Sequence, residues 1–143
     1  MIESVNFTVP GVPKGKARPR ITREGRAYTP QETVMYENLV CAMYRQQVGN
    51  VFLNGAIQAE IRAFFPIPKA TSKKKRATME SGLVDYTHKS DSDNIAKIVL
   101  DALNHIAYYD DAQISRLIVQ KKYGHMPRVE IRLTEVEVLD EGQ

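Results

Sequence analysis

Residues 92–107 constrain the fold more than any other stretch of the chain. Ile95, Ile98, Val99, Ala102, Leu103 and Ile106 fall at i, i+3, i+4, i+7, i+8 and i+11, the spacing that lines one face of an α-helix with apolar side chains. A helix so patterned has to bury its stripe against a second layer. That layer is written in strands. Val5, Phe7 and Val9 alternate with polar neighbours, as do Ile57, Ala59, Ile61, Ala63 and Phe65, the latter run closed by Pro66 and Pro68. Residues 114–119 and 129–138 read as two more strands, with Gly124 and Pro127 marking the turn between them. In the last strand Val129, Ile131 and Leu133 keep one phase, then Val136 and Val138 take the other. A bulge or change of facing near Thr134 is expected there.

A second helix is signalled after residue 29. Thr29 suits the cap position, Pro30 the first turn, and Glu32 completes a capping box. Val34, Met35, Leu39, Ala42 and Met43 recur at helical spacing, and Gly49-Asn50 supplies a stop. Cys41 belongs to this helix as a small apolar residue. Four prolines and three glycines between Pro10 and Pro30 exclude a regular helix and predict an irregular arm or hairpin. Residues 69–78 read as a loop or a short helix; periodicity does not decide between them. The order β, α, β, (α), α, β, β predicts an α/β chain of the α+β type, with a mixed sheet flanked by helices. With 143 residues, no internal repeat and no linker, a single domain over 1–143 is expected. A lone cysteine excludes an internal disulfide. No apolar run approaches the roughly 18 residues of a membrane span, and the opening MIESVNFTVPG lacks a signal-peptide core, so a cytoplasmic location without membrane partners is expected.

The formal net charge of +3 hides a separation. Residues 10–30 hold Lys14, Lys16, Arg18, Arg20, Arg23 and Arg26 against a single Glu24. Residues 69–78 hold Lys69, Lys73, Lys74, Lys75 and Arg76 with no acid. Each segment carries +5, which leaves −7 on the other 112 residues. Two cationic stretches on an acidic body form an electrostatic footprint for a polyanion, nucleic acid first among them. Solvated loops are the plainer alternative.

The acids concentrate too. Asp91 and Asp93 stand two apart just ahead of the apolar stripe, and Asp93, Lys97 and Asp101 follow at i, i+4 and i+8 on the opposite face. Asp110 and Asp111 come next, at the start of a strand. Five carboxylates within 21 residues suit a hard-oxygen site of the kind that holds Mg²⁺ beside substrate phosphates, and phosphodiester hydrolysis needs such a Lewis acid with an activated water. Each acid also has a structural use: Asp91 or Ser92 as a cap, Asp93 as a first-turn acid, Asp101 paired with Lys97, and Asp110-Asp111 in a turn. The combination favours a site, because acids brought together repel unless a cation sits among them.

The string DSDNIAKIVLDALN (91–104) followed by YYDDAQI (108–114) resembles the core of the RusA family of Holliday junction resolvases. VPGVPKGKARPRITREGRAYTP (9–30) resembles the basic opening of phage and prophage members of that family. The resemblance implies a homodimeric, Mg²⁺-dependent endonuclease, with Mn²⁺ able to substitute, that cuts four-way DNA junctions by paired symmetric nicks. It implies Asp91, Asp93 and Asp111 as metal-binding carboxylates and Lys97 as a functionally required lysine, with Asp101 and Asn94 supporting. Lys14, Lys16, Arg18, Arg20, Arg23, Arg26, Lys73, Lys74, Lys75 and Arg76 would then neutralise phosphates of branched DNA, so binding would weaken steeply with salt. A non-catalytic branched-DNA-binding module is the alternative. A phosphatase of the D-x-D nucleophile type ranks last, because Tyr86-Thr87-His88-Lys89-Ser90 is too polar for the apolar strand expected ahead of its first Asp.

Overall fold

The alternation between Ile57 and Phe65 becomes the central strand of the protein. In the computed structural model, which describes residues 3–138, the strands are β1 (Ser4–Pro10), β2 (Arg20–Ile21), β3 (Ala27–Tyr28), β4 (Ile57–Pro66), β5 (Ile114–Gly124) and β6 (Arg128–Glu135). The helices are α1 (Gln31–Gln47), α2 (Lys73–Glu80) and α3 (Ser92–Ala102). β1, β6, β4 and β5 lie side by side in that order, with β4 antiparallel to β6 and parallel to β5. A parallel pair needs a long crossover, and the segment carrying α2 and α3 supplies it. The sheet is therefore mixed, as the sequence predicts, and the chain folds as one α/β domain.

One face of the sheet is apolar. Val5, Phe7 and Val9 of β1, Ile57 to Phe65 of β4 at every second residue, and Val129, Ile131 and Leu133 of β6 are all buried. α1 and α3 cover them and pack on each other. Ile95, Ile98, Val99 and Leu103 lose all solvent exposure, each burial stabilising by about 1.5–3 kcal/mol. The other face stays polar, with Gln58, Glu60 and Arg62 of β4 beside Glu130 and Arg132 of β6.

Several local expectations need correction. α1 starts one residue late: Pro30 is its N-cap and no side chain caps it, because Thr29 stands too far back to reach the free amides. Its buried face is Thr33, Tyr36, Val40 and Tyr44, whereas Val34 and Met35 are exposed. Tyr44 packs edge-on against Phe7 and donates its hydroxyl to the Val51 carbonyl at 2.5 Å. Gly49, at φ 92°, ends the helix by returning its N–H to the Tyr44 carbonyl. α3 ends at Ala102 rather than running to 107, and Ile106 reaches the core from the following turn. The phase change after Leu133 is no bulge in β6. The strand stops at Glu135, and the Val136 N–H leaves the ladder for the Ala56 carbonyl. The 10–30 arm does form a small hairpin, and the lysine-rich stretch does contain a helix, capped by Ser72 on the Lys75 amide. No helix among the described residues is long and apolar enough to cross a membrane.

Candidate active site

The approach to α3 is fixed by aromatic packing. Tyr86 stacks on Phe65 with ring centroids 3.7 Å apart and donates its hydroxyl to the Lys89 carbonyl at 2.7 Å. Lys121 of β5 ties the same segment down by donating to the His88 carbonyl at 2.7 Å. Asp91 then becomes the N-cap of α3, with extended backbone at φ −66° and ψ 147°, yet its carboxylate makes no cap hydrogen bond. An aspartate at that position normally spends its oxygens on the free amides of the first turn. Here they remain available. Asp93 follows in the first turn, where the helix dipole favours an anion; both carboxylates are exposed.

Asp93, Lys97 and Asp101 run along one face of α3 as the spacing predicts, over about 12 Å of helix axis. Asp101 does not pair with Lys97. Its Oδ2 lies 3.2 Å from the Nζ of Lys16, which also meets Glu37 of α1 at 2.6 Å. Lys97 is exposed and, among the described residues, has no ion-pair partner.

The second group of acids lies past the C-terminal end of α3. Tyr108 is fully buried and donates to the Leu100 carbonyl at 2.6 Å. It anchors the turn from inside. Gln113 takes the Tyr109 and Asp110 amides on its Oε1, at 2.9 and 3.0 Å, and donates to the Gly55 carbonyl at 2.9 Å. The Asp110 side chain completes a reciprocal capping box with Gln113. The Asp111 amide donates to Asn104 Oδ1 at 2.8 Å. The adjacent aspartates thus differ: Asp110 is used as a cap, whereas Asp111 turns toward Asp101. Partial burial raises the pKa of Asp111, and contacts with the Asp110 and Asp101 carboxylates raise it further. The crowding is electrostatically unfavourable while all three are ionised.

The structure therefore brings Asp111 to Asp101, while Asp91 and Asp93 occupy the opposite end of α3. Among the described residues no three His, Cys, Asp or Glu side chains gather as a ready metal cage. Lys14, Arg18, Arg20, Arg23 and Arg26 are exposed along the arm, as are Lys73, Lys74 and Lys75 on α2; Lys16 is half-buried, and Arg76 is partly buried with a bond to the Pro68 carbonyl at 3.1 Å. The sequence pattern alone does not mark Glu37, Asn104 or Gln113 as site residues. Only Gln113 has a local signal, three residues after Asp110 in a capping-box pattern.

Comparison with known proteins fits this arrangement. Residues 10–134 match the family model for endodeoxyribonuclease RusA, a span that takes in the arm, both groups of acids and every strand of the sheet after β1. The chain is also 36% identical over 140 residues to the uncharacterized protein YqaN of Bacillus subtilis (strain 168), covering 94% of this chain and 99% of that protein. The chain belongs to the RusA endodeoxyribonuclease family.

Proposed function

We propose that this chain is a structure-selective endodeoxyribonuclease that resolves four-way junctions by paired symmetric nicks, using Mg²⁺ or, in its place, Mn²⁺. The observation that carries the reading is Asp111. Its amide is pinned by Asn104, its carboxylate is free of capping duty, and Asp101 and Asp110 crowd it. A cation relieves that crowding.

The donors suit the ion. All are carboxylate oxygens, the ligands preferred by Mg²⁺ and Mn²⁺, and Mg²⁺ commonly takes only one or two carboxylates alongside water and substrate phosphate. Within one protomer Asp111 stands beside Asp101 while Asp91 and Asp93 lie at the far end of α3, so Asp111 would hold one ion and Asp91 with Asp93 a second. When bound, Mg²⁺ supplies a Lewis acid for the scissile phosphate and lowers the pKa of a water. The remaining work belongs to the chain. Lys97, exposed about one helical turn from both Asp93 and Asp101, offers its ammonium to charge developing on the phosphoryl oxygens. The exposed bases of the arm and α2 neutralise backbone phosphates and position the junction without reading its sequence. Two copies related by a two-fold axis present two such sites to a two-fold substrate, which accounts for paired nicks.

The test is a synthetic four-way junction incubated with Mg²⁺ and either the parent chain or Asp93→Asn, with products mapped on all four strands. The parent is expected to nick two opposing strands at symmetric positions, and the variant to bind without cutting. Binding without cutting by the parent, across divalent metals and junction sequences, would leave a non-catalytic branched-DNA-binding module. Sedimentation of the free protein and its junction complex tests the dimer; a single copy per junction would contradict it.

A further inference from the structure

Lys16 stands apart from the other bases of its arm. Lys14, Arg18, Arg20, Arg23 and Arg26 project into solvent, whereas the Lys16 side chain is only 21% exposed. Its ammonium sits between two carboxylates from different helices, 2.6 Å from Glu37 Oε2 and 3.2 Å from Asp101 Oδ2. Its backbone N–H donates to the Asn94 carbonyl at 2.9 Å. Gly15 presses against the same place: a Cβ there would come within 2.8 Å of Ser90 Cβ and 3.1 Å of Asn94 Cβ. The root of the arm is thus clasped to both ends of α3, at Ser90 and Asn94 through its backbone and at Asp101 through its charge. Two carboxylates already take two of the three ammonium donors and offset its charge, which leaves it little to offer a phosphate. Asp101, in turn, is one of the two acids against Asp111.

We propose that Lys16 is a positioning residue of the acidic site rather than a phosphate contact: it holds Asp101 in place beside Asp111 and sets the root of the DNA-facing arm. The inference rests on the reading that Asp111 belongs to the hydrolytic centre. Partners behind the ligands of a metal site typically change metal affinity or activity by roughly 10–100-fold when removed. A contact to DNA phosphate leaves a different mark, lowering the salt dependence of binding by about 0.9 per charge.

The experiment compares the parent with Lys16→Met, Lys16→Gln, Lys16→Met combined with Asp101→Asn, and Lys14→Met. It measures the single-turnover cutting rate with excess protein, the Mg²⁺ concentration for half-maximal rate, and the salt dependence of junction binding. Lys16→Met is expected to lower the rate or raise the Mg²⁺ midpoint by roughly 10–100-fold with unchanged salt dependence. Adding Asp101→Asn to Lys16→Met should lower the rate little further, because Lys16 acts through that carboxylate. Lys14→Met should weaken junction binding and lower its salt dependence. Lys16→Gln keeps hydrogen-bonding capacity and carries the test if Lys16→Met does not fold. A Lys16 variant with reduced salt dependence and an intact rate would make it a phosphate contact. One that merely melts earlier, with rate and midpoint intact, would make it structural only. Either result overturns the inference alone, whereas a parent that cuts no junction overturns the hydrolytic reading beneath it.

Discussion

Gly15→Ala adds one methyl group at the point where the arm meets α3. The new carbon would lie 2.8 Å from Ser90 Cβ, 3.0 Å from Ser90 Oγ and 3.1 Å from Asn94 Cβ. Ser90 Oγ can rotate away, but the two Cβ atoms move only with their backbones, and one of those belongs to α3. Two responses compete. If the neighbours shift, the cost is that of overpacking, about 1–3 kcal/mol. If the arm lifts off, the Lys16 N–H to Asn94 carbonyl bond is lost, worth about 0.5–1.5 kcal/mol net, along with the Lys16 pairing to Glu37 and Asp101. The protein takes the cheaper course, so the loss should fall near 1–2 kcal/mol. For a chain of this size that is a drop of roughly 3–8 °C in Tm. Differential scanning fluorimetry reads the drop, and limited trypsin digestion reads the arm, which carries five exposed bases between Lys14 and Arg26. Faster cleavage within 14–26 means that the arm has undocked; unchanged cleavage with a lower Tm means that α3 has moved. An unchanged Tm together with an unchanged digestion pattern would refute the docking of Gly15 against Ser90 and Asn94.

Other expectations follow from the same geometry. Asn104→Ala removes the acceptor of the Asp111 amide; a part-buried donor left unpaired costs about 1–3 kcal/mol, so both Tm and junction cutting should fall, and unchanged cutting would free Asp111 from Asn104. Eight exposed bases, Lys14, Arg18, Arg20, Arg23, Arg26, Lys73, Lys74 and Lys75, would together contribute about −7 per protomer to the slope of log binding constant against log salt if each meets a phosphate. Replacing Lys73, Lys74 and Lys75 together with Ala should reduce that slope by about 3; fluorescence anisotropy would show no change if α2 faces away from DNA. Cys41 is half-buried, and its Sγ–H donates to the Ala102 carbonyl at 3.0 Å. Burial raises the thiol pKa. Its contribution to stability is present below the unfolded thiol pKa of about 8.5 and declines as pH rises from there toward the raised folded value. At pH 8 a thiol reagent should therefore label the unfolded chain much faster than the folded one, and equal rates would contradict the buried environment.

Much of the fold is legible in the sequence because its elements follow single periods. β1, β4 and β6 alternate cleanly, although β5 does not, and the apolar stripe of α3 is complete from Ile95 to Leu103. α1 was harder. Counting aliphatic residues points to Val34 and Met35, but the face turned inward is built on Tyr36 and Tyr44, whose rings fill the space under β1 while the Tyr44 hydroxyl finds the Val51 carbonyl. Among the described residues the buried Tyr36 hydroxyl has no hydrogen-bond partner, and burial pushes its pKa up to about 12. The acids of the site stand out as a cluster in the sequence, but their division of labour does not. Asp110 and Asp111 are adjacent and chemically alike; only the turn pinned by Asn104 and Gln113 separates a cap from a free carboxylate. Lys16 meeting Asp101 spans 85 positions, and no local pattern encodes such a pair.

That separation gives the most direct measurement of whether this acidic site cuts DNA. Asp110→Asn and Asp111→Asn would be compared with the parent in single-turnover cleavage of a four-way junction in Mg²⁺, with junction binding measured on the same preparations. Asp111→Asn should bind the junction and fail to cut it. Asp110→Asn keeps a side-chain oxygen for the cap and removes one of the charges crowding Asp111, so it should leave Tm close to the parent's and continue to cut. Cutting that survives Asp111→Asn, or is abolished equally by both substitutions, would contradict the assignment of Asp111 as the free carboxylate of the hydrolytic centre.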